Sequence, residues 1–264
     1  MNRRGLTLTE LIVVSAVIAL LMAVLAPALR VSREKAKSVV CASNIKQLNL
    51  AISVYLSNNQ TYPYGFFDST SEPPGGYPGN GIDDPWGWWW FNYIGRFYDR
   101  RYNETSILSC PAKNLRNSNL TTNILCGNYG INQSICKRVL GNLTRPEFIG
   151  TPLRITEIPK PSETLLIVDS GYSLINWWHV TLNPPQNLNP SSIVDSSYIP
   201  GMKINSQKNI WHGQEYDAIG GRHPNRTVNV SFADSHVENK KADELLVEQN
   251  QSEYENRIPL WTPK

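Results

Sequence analysis

The sequence predicts an α+β protein in which a long N-terminal helix packs on a C-terminal antiparallel β-sheet with long loops. The helix is predicted by an uncharged apolar run of 19 residues, 11–29, followed by an amphipathic stripe. The sheet is predicted by a turn that leads into a buried strand within residues 162–169 and by residues 226–232, which alternate apolar and polar side chains before a turn. With 264 residues, the chain can form one membrane segment and one globular domain.

The apolar run is long enough to cross a membrane. Residues 6–29 rise about 36 Å as a helix, more than the roughly 30 Å hydrocarbon core of a bilayer. A secretory signal peptide cleaved near Ala26-Pro27-Ala28, or a plain signal anchor, would also account for the run. Neither accounts for Glu10, because a carboxylate in lipid is costly unless it is paired or neutralised. Glu10 therefore indicates a function within the membrane.

The helix is predicted to continue without a break over residues 30–57. An apolar stripe recurs at steps of three and four residues, which is the period of an α-helix. The helix should end where turn-forming residues gather, near Ser57-Asn58-Asn59. The stripe consists of Cys41, Ile45, Leu48, Ile52 and Tyr55.

The N-terminus resembles the type IV prepilin and type II secretion pseudopilin family. A short basic leader ends at Gly5, the apolar Leu6 follows, and Glu10 lies four residues further on. The resemblance implies cleavage between Gly5 and Leu6 by a prepilin peptidase, followed by methylation of the new α-amine. It also implies that Glu10 pairs with the α-ammonium of Leu6 on a neighbouring subunit. Pro27 matches the pilin pattern and is expected to bend or locally melt the helix.

This resemblance predicts a pilin-like fold with four parts. They are a leader (1–5), a transmembrane and polymerisation helix (6–29), its amphipathic continuation (30–57) and an exported globular domain (58–264). The implied location is the bacterial inner membrane, crossed once, with a cytoplasmic N-terminus. Four basic residues after the apolar run oppose that orientation by the positive-inside rule, but the cysteine content and the leader favour it. These are Arg30, Arg33, Lys35 and Lys37.

Two further segments resemble a planctomycete-type subgroup of these prepilin-like proteins. The segment from Cys41 to Leu48 is similar to its Cys-x-x-Asn-Leu-Lys-Gln pattern, with Ile45 where leucine is usual. Its C-terminal signature is histidine, nine residues, then Asp-Gly. Here ten residues separate His223 from Asp234, and Ser235 replaces the glycine, followed by His236.

The four cysteines indicate two disulfides in an oxidising compartment, because their number is even and none lies in a CxxC pair. Cys126 and Cys136 are close in sequence, which favours that pair and leaves Cys41 with Cys110. Four unpaired buried thiols are the alternative. A zinc site of the usual spacing is not expected.

Several side chains in the globular part are candidates for binding. Trp88, Trp89 and Trp90, and then Trp177 and Trp178, could form a platform for polysaccharide or could simply cover the core. His223, Asp234 and His236 could bind a divalent cation, joined by Asp169, or could brace a hairpin turn. The pair at 83–84, Asp83 and Asp84, lies in a Gly/Pro-rich loop whose composition is similar to calcium-binding loops of secretion pseudopilins.

The expected function is therefore structural. A net charge of +3 is too small to indicate a nucleic-acid partner. No motif of a common hydrolase, nucleotide-binding protein or metalloprotease is present, so we expect no enzyme. We expect a minor or specialised subunit of a type IV pilus or secretion pseudopilus. The alternatives are a membrane-anchored polysaccharide-binding module and a membrane-tethered hydrolase using His223.

Overall fold

The computed structural model confirms the α+β class. It describes residues 7–68, 87–95, 106–139, 147–181, 197–250, 253–255 and 257–263. A single long helix precedes a mainly antiparallel sheet, which corresponds to the pilin-like arrangement expected from the sequence.

Helix α1 (Leu8–Asn59) has 52 residues and is about 78 Å long. It begins at the N-cap Thr7, whose hydroxyl accepts from the backbone N–H of Glu10. It ends at Gln60, which adopts a left-handed conformation and donates its N–H to the carbonyl of Leu56. The helix continues through Pro27, so the local melting expected there is not a feature of this monomer.

The two halves of α1 differ in burial. From Leu8 to Leu29 every side chain is exposed, whereas the predicted apolar stripe from Cys41 onward is buried. All five stripe residues belong to the hydrophobic core, and the helix packs on three strands of the main sheet. The stripe prediction is confirmed. The second half of the helix is thus part of the globular domain.

The main sheet has five strands in the order β5-β3-β4-β6-β7. Its pairs are antiparallel except β3 with β5, which are parallel, so the sheet is mixed at one edge. The strands are β3 (Tyr129–Asn132), β4 (Leu165–Asp169), β5 (Leu174–Ile175), β6 (Thr227–Phe232) and β7 (Val237–Lys241). The predicted C-terminal hairpin is β6–β7, and its second strand is an edge of the sheet.

Hydrophobic clusters cover both faces of the sheet. Val228, Val230 and Phe232 face the cluster opposite α1, as their alternation predicts. In β4, Leu166 and Ile167 both join the cluster under α1, because the pairing with β6 is irregular between Leu165 and Ile167. A bulge of this kind turns two consecutive side chains to one face.

Short elements complete the described part of the chain. Two small strand pairs are β1 (Phe66–Phe67) with β2 (Trp88–Trp89), and β8 (Gln249–Asn250) with β9 (Glu253–Tyr254). The short helices are α2 (Trp90–Ile94), α3 (Ser118–Thr121) and α4 (Glu215–Gly220). Single 3₁₀ turns occur at Ile155–Glu157, Trp177–Val180, Lys203–Gln207, Pro224–Arg226 and Ala242–Leu245.

Candidate functional site

Within the part of the chain that the structure describes, the first half of α1 is an apolar surface that packs against no other element. Its side chains from Leu8 to Leu29 contact no core of the domain, and this helix is long and apolar enough to cross a membrane. Exposed apolar surface of this extent marks a membrane or protein contact. The exposed first half and the buried second half belong to one continuous helix. A partner that binds the first half is therefore connected to the globular domain through α1.

The Glu10 carboxylate lies at the start of this surface. Its Oε2 accepts from the backbone N–H of Thr7 at 2.8 Å and from the Thr7 hydroxyl at 2.8 Å. These contacts form a capping box, which satisfies backbone donors at the end of the helix. The carboxylate is thus bonded to Thr7, which follows the predicted new terminus, Leu6, in the sequence. Gly5 and Leu6 themselves lie outside the described residues.

Polar side chains attach the second half of α1 to the sheet. Asn49 donates to the Ser231 hydroxyl at 3.0 Å and to the Phe232 carbonyl at 2.7 Å. Asn44 donates to the Ser109 carbonyl at 3.2 Å. Both asparagines are buried, so these bonds are shielded from water and fix the register of helix against sheet.

Ser235 closes the β6–β7 turn directly against the helix. Its φ of 77° lies in the left-handed region, which glycine adopts more readily than residues with a side chain. Its hydroxyl donates to the Asn49 side chain at 3.1 Å and lies 2.9 Å from the Ser53 hydroxyl. Its carbonyl accepts from Lys46 at 2.6 Å. Contacts with the helix therefore support the serine in a strained conformation.

The signature residues do not converge on one site. His223 precedes β6 and Asp234 follows it, and a six-residue strand separates them by about 20 Å. Asp234 pairs with His236 at 2.5 Å in the turn, where the His236 ring stacks on Phe232. The interpretation of His223, Asp234 and His236 as a shared metal site is therefore wrong, and the Asp234–His236 pair braces the turn.

His223 instead meets Asp169 in the interior. His223 Nε2 lies 3.0 Å from Asp169 Oδ2, and both side chains are fully buried. Burial lowers the pKa of His223, but the Asp169 carboxylate and hydrogen bonds to its ring outweigh that effect and raise it to about 10. Asp169 is the last residue of β4, where it also accepts from the Asn229 backbone N–H at 2.7 Å.

The cysteines are all buried within the described chain. The sulfur atoms of Cys41 and Cys110 lie 2.6 Å apart, beside His223 and Asp169. The structure contains no bond between any two of the four, so the predicted pairings of Cys41 with Cys110 and of Cys126 with Cys136 stay predictions. The pair at 83–84 that suggested calcium lies outside the described residues.

The tryptophans cover the core rather than forming a platform. Trp89, Trp90, Trp177 and Trp178 are at most 5% exposed, and only Trp88 among the five is intermediate. Trp89 packs against Phe66, and Trp178 packs edge-on against Phe148. The polysaccharide-platform interpretation of these five residues is therefore wrong, because buried rings cannot stack on a polymer.

A pH effect on stability should follow from His179, which lies beside the buried tryptophans. Burial, assisted by the positive charge of Lys208, lowers the pKa of His179 to about 3. The unfolded chain has an ordinary histidine pKa of about 6.5, so it binds the proton first as the pH falls. This contribution to stability is complete above pH 6.5 and should fall by about 1.4 kcal/mol per pH unit below it.

Urea unfolding of the detergent-solubilised chain between pH 7 and pH 5 measures this effect. His179→Gln keeps an acceptor for the Asn176 N–H, which bonds to Nδ1 at 3.1 Å, and should flatten the pH dependence. His212→Gln is the control, because the His212 side chain is 97% exposed. Equal slopes for the wild type and His179→Gln would contradict the assignment.

Sequence reasoning missed two features of the site. Asn44 and Asn49 are not among the residues of the predicted apolar stripe, yet they follow Cys41 by three and eight residues, which are helical positions on the same side. The sequence did not predict the ion pair of Arg222 with Asp217, whose charged atoms lie 2.7 Å apart. A spacing of five residues does not by itself place two side chains in contact.

Comparison with known proteins supports the assignment of the N-terminus. A family model of the prokaryotic N-terminal methylation motif matches residues 1–26. Comparisons with curated proteins and with solved structures found no match. The motif implies processing by a prepilin peptidase and assembly with other pilins, and with the apolar helix it indicates single-pass membrane anchoring. The N-terminus therefore carries a prokaryotic N-terminal methylation motif, which supports a precursor similar to type IV pilins and pseudopilins.

Proposed function

We propose that the chain is cleaved after Gly5 and then assembles, through α1, as a structural subunit of a type IV pilus or a type II secretion pseudopilus. The observation that carries the proposal is the fully exposed apolar half of α1, headed by Glu10 and preceded by the methylation motif. In an oligomer, apolar surface of this kind is buried between neighbouring helices, which is the main favourable term in association.

The globular domain is proposed to lie on the outer side of the inner membrane. The basic leader is removed on the cytoplasmic side, and the apolar helix, which is long enough to span a membrane, separates it from the globular domain. The domain is large and contains long segments between its strands. We therefore assign it a minor or specialised position in the filament rather than the bulk of the shaft.

The mature N-terminus tests the proposal. Coexpression with a prepilin peptidase should yield a chain that begins at Leu6 with a methylated α-amine, as measured by intact-mass and peptide mass spectrometry. A Gly5→Val variant should keep its first five residues, because the peptidase requires a small residue there. A mature chain that begins after Ala28 would show a secretory signal peptide and contradict the proposal.

A further inference from the structure

Four metal-ligating side chains meet inside the domain, at the joint between α1 and the sheet. The donor atoms of Cys41, Cys110, Asp169 and His223 all lie within 4.8 Å of one another, and all four residues are buried. They come from four separated parts of the chain: the middle of α1, the segment before β3, the end of β4 and the segment before β6.

The cluster contains buried polar atoms that the described chain leaves without a hydrogen-bond partner. Asp169 Oδ2 accepts from the His223 ring and from the Asn229 N–H, whereas Asp169 Oδ1 has no such partner. His223 Nδ1 has no nitrogen or oxygen partner either, and the ring instead meets the Cys110 thiol. A buried carboxylate oxygen without a donor has lost its hydration with nothing to replace it, which destabilises the fold. A bound cation would remove that cost.

The donor types select the ion. Two sulfurs, one imidazole nitrogen and one carboxylate oxygen form a four-coordinate set of the kind that binds zinc. Calcium and magnesium prefer sets made only of oxygen. At zinc–ligand distances of about 2.0–2.3 Å, tetrahedral ligands lie roughly 3.3–3.8 Å apart. The Cys41 and Cys110 sulfurs, now 2.6 Å apart, would separate by about 1 Å to reach that geometry.

We propose that Cys41, Cys110, Asp169 and His223 bind one Zn²⁺ ion in the reduced protein. The surrounding bonds hold these side chains in place: the Cys110 N–H donates to Asn128 Oδ1 at 3.1 Å, and Asn229 holds Asp169. The ion joins α1 to three other segments of the domain. The ion therefore stiffens the joint between α1, the proposed assembly helix, and the rest of the globular domain.

A Cys41–Cys110 disulfide is the competing state. The bond would consume both thiolates, leaving only His223 and Asp169 as ligands. The two states are mutually exclusive and chemically distinguishable. Neither affects cleavage at Gly5, so failure of the zinc proposal leaves the proposed assembly function standing.

Metal titration of the full-length, detergent-solubilised chain tests the site. After the chain has been reduced and its metal removed with a chelator, it should bind one equivalent of Co²⁺ and show thiolate-to-cobalt absorption. Zn²⁺ should then displace the Co²⁺. Zinc should also raise the unfolding temperature of the wild-type chain, a readout that needs no variant. Peptide mass spectrometry of alkylated protein, isolated from the exporting cell, should find Cys41 and Cys110 unbonded.

Variants locate the ion. Cys110→Ser and the nearly isosteric Asp169→Asn should weaken binding by at least the roughly 10–100-fold seen when outer partners of a metal site are lost. Cys126→Ser is the matched control, because Cys126 is equally buried but lies outside the cluster. Absence of stoichiometric Co²⁺ binding by the wild type, or a Cys41–Cys110 disulfide in the isolated protein, would overturn the proposal.

Discussion

Glu10→Gln should be processed normally at Gly5 yet fail to enter filaments. Glutamine has nearly the same size and can replace glutamate in the capping box with Thr7, so the helix start is preserved. The substitution removes only the charge that would neutralise the α-ammonium of a neighbouring Leu6. Because loss of one partner of a buried ion pair costs about 3–5 kcal/mol, the assembled fraction should fall at least about tenfold.

Sheared filament fractions and membrane fractions, compared by immunoblot, measure that loss. Glu34→Gln is the matched control: it lies in the same helix beyond the apolar run and forms an exposed pair with Arg30 at 3.2 Å. Removing such a pair should change assembly little. Filaments that contain Glu10→Gln at the wild-type level would show that α1 assembles by apolar packing alone.

Arg222→Met should destabilise the domain by about 3–5 kcal/mol, because it leaves the Asp217 carboxylate buried without its counter-charge. Arg222 contacts both oxygens of Asp217, at 2.7–3.0 Å. It also donates to the carbonyls of Asn128 and Ser170 at 2.7 Å. Neither side chain of the pair is exposed. The substitution thus disconnects the start of β3 and the end of β4 from the segment before β6.

Urea unfolding of the solubilised full-length chain measures the loss. In a double-mutant cycle, Asp217→Asn combined with Arg222→Met should be less destabilising than the sum of the two single changes, because no uncompensated charge is left. Arg257→Met is the control for solvent-exposed ion pairs, since Arg257 contacts Glu248 at 3.1 Å and also Glu255, and it should change the free energy of unfolding little. Additive single effects at Arg222 and Asp217 would contradict a direct coupling.

Periodic features of the fold were predictable from the sequence. The helix was expected to end near Ser57-Asn58-Asn59, and α1 ends at Asn59. A buried strand was expected within residues 162–169, and β4 lies there; the hairpin after 226 was also predicted correctly. These features depend on local spacing, since side chains that repeat with the period of a helix or strand must share a face.

The buried site was only partly predictable. The sequence contains Cys41, Cys110, Asp169 and His223, but they are separated by up to 182 residues, and none of their spacings matches a local metal motif. The resemblance to a C-terminal signature grouped His223 with Asp234 and His236, which are near in sequence. Strand β6 carries them to opposite ends, so nearness in sequence was misleading.

The sequence by itself determined the interpretation of the N-terminal segment. An uncharged run, one acid at its start and a short basic leader ending in glycine are local features, and their physical consequences in a membrane need no tertiary contacts. The tertiary structure alone decided that Trp89, Trp90, Trp177 and Trp178 are core residues. It also decided that Cys41 of the helix meets His223, which precedes β6. Long-range packing brings these groups together, and no local pattern specifies which distant segments become neighbours.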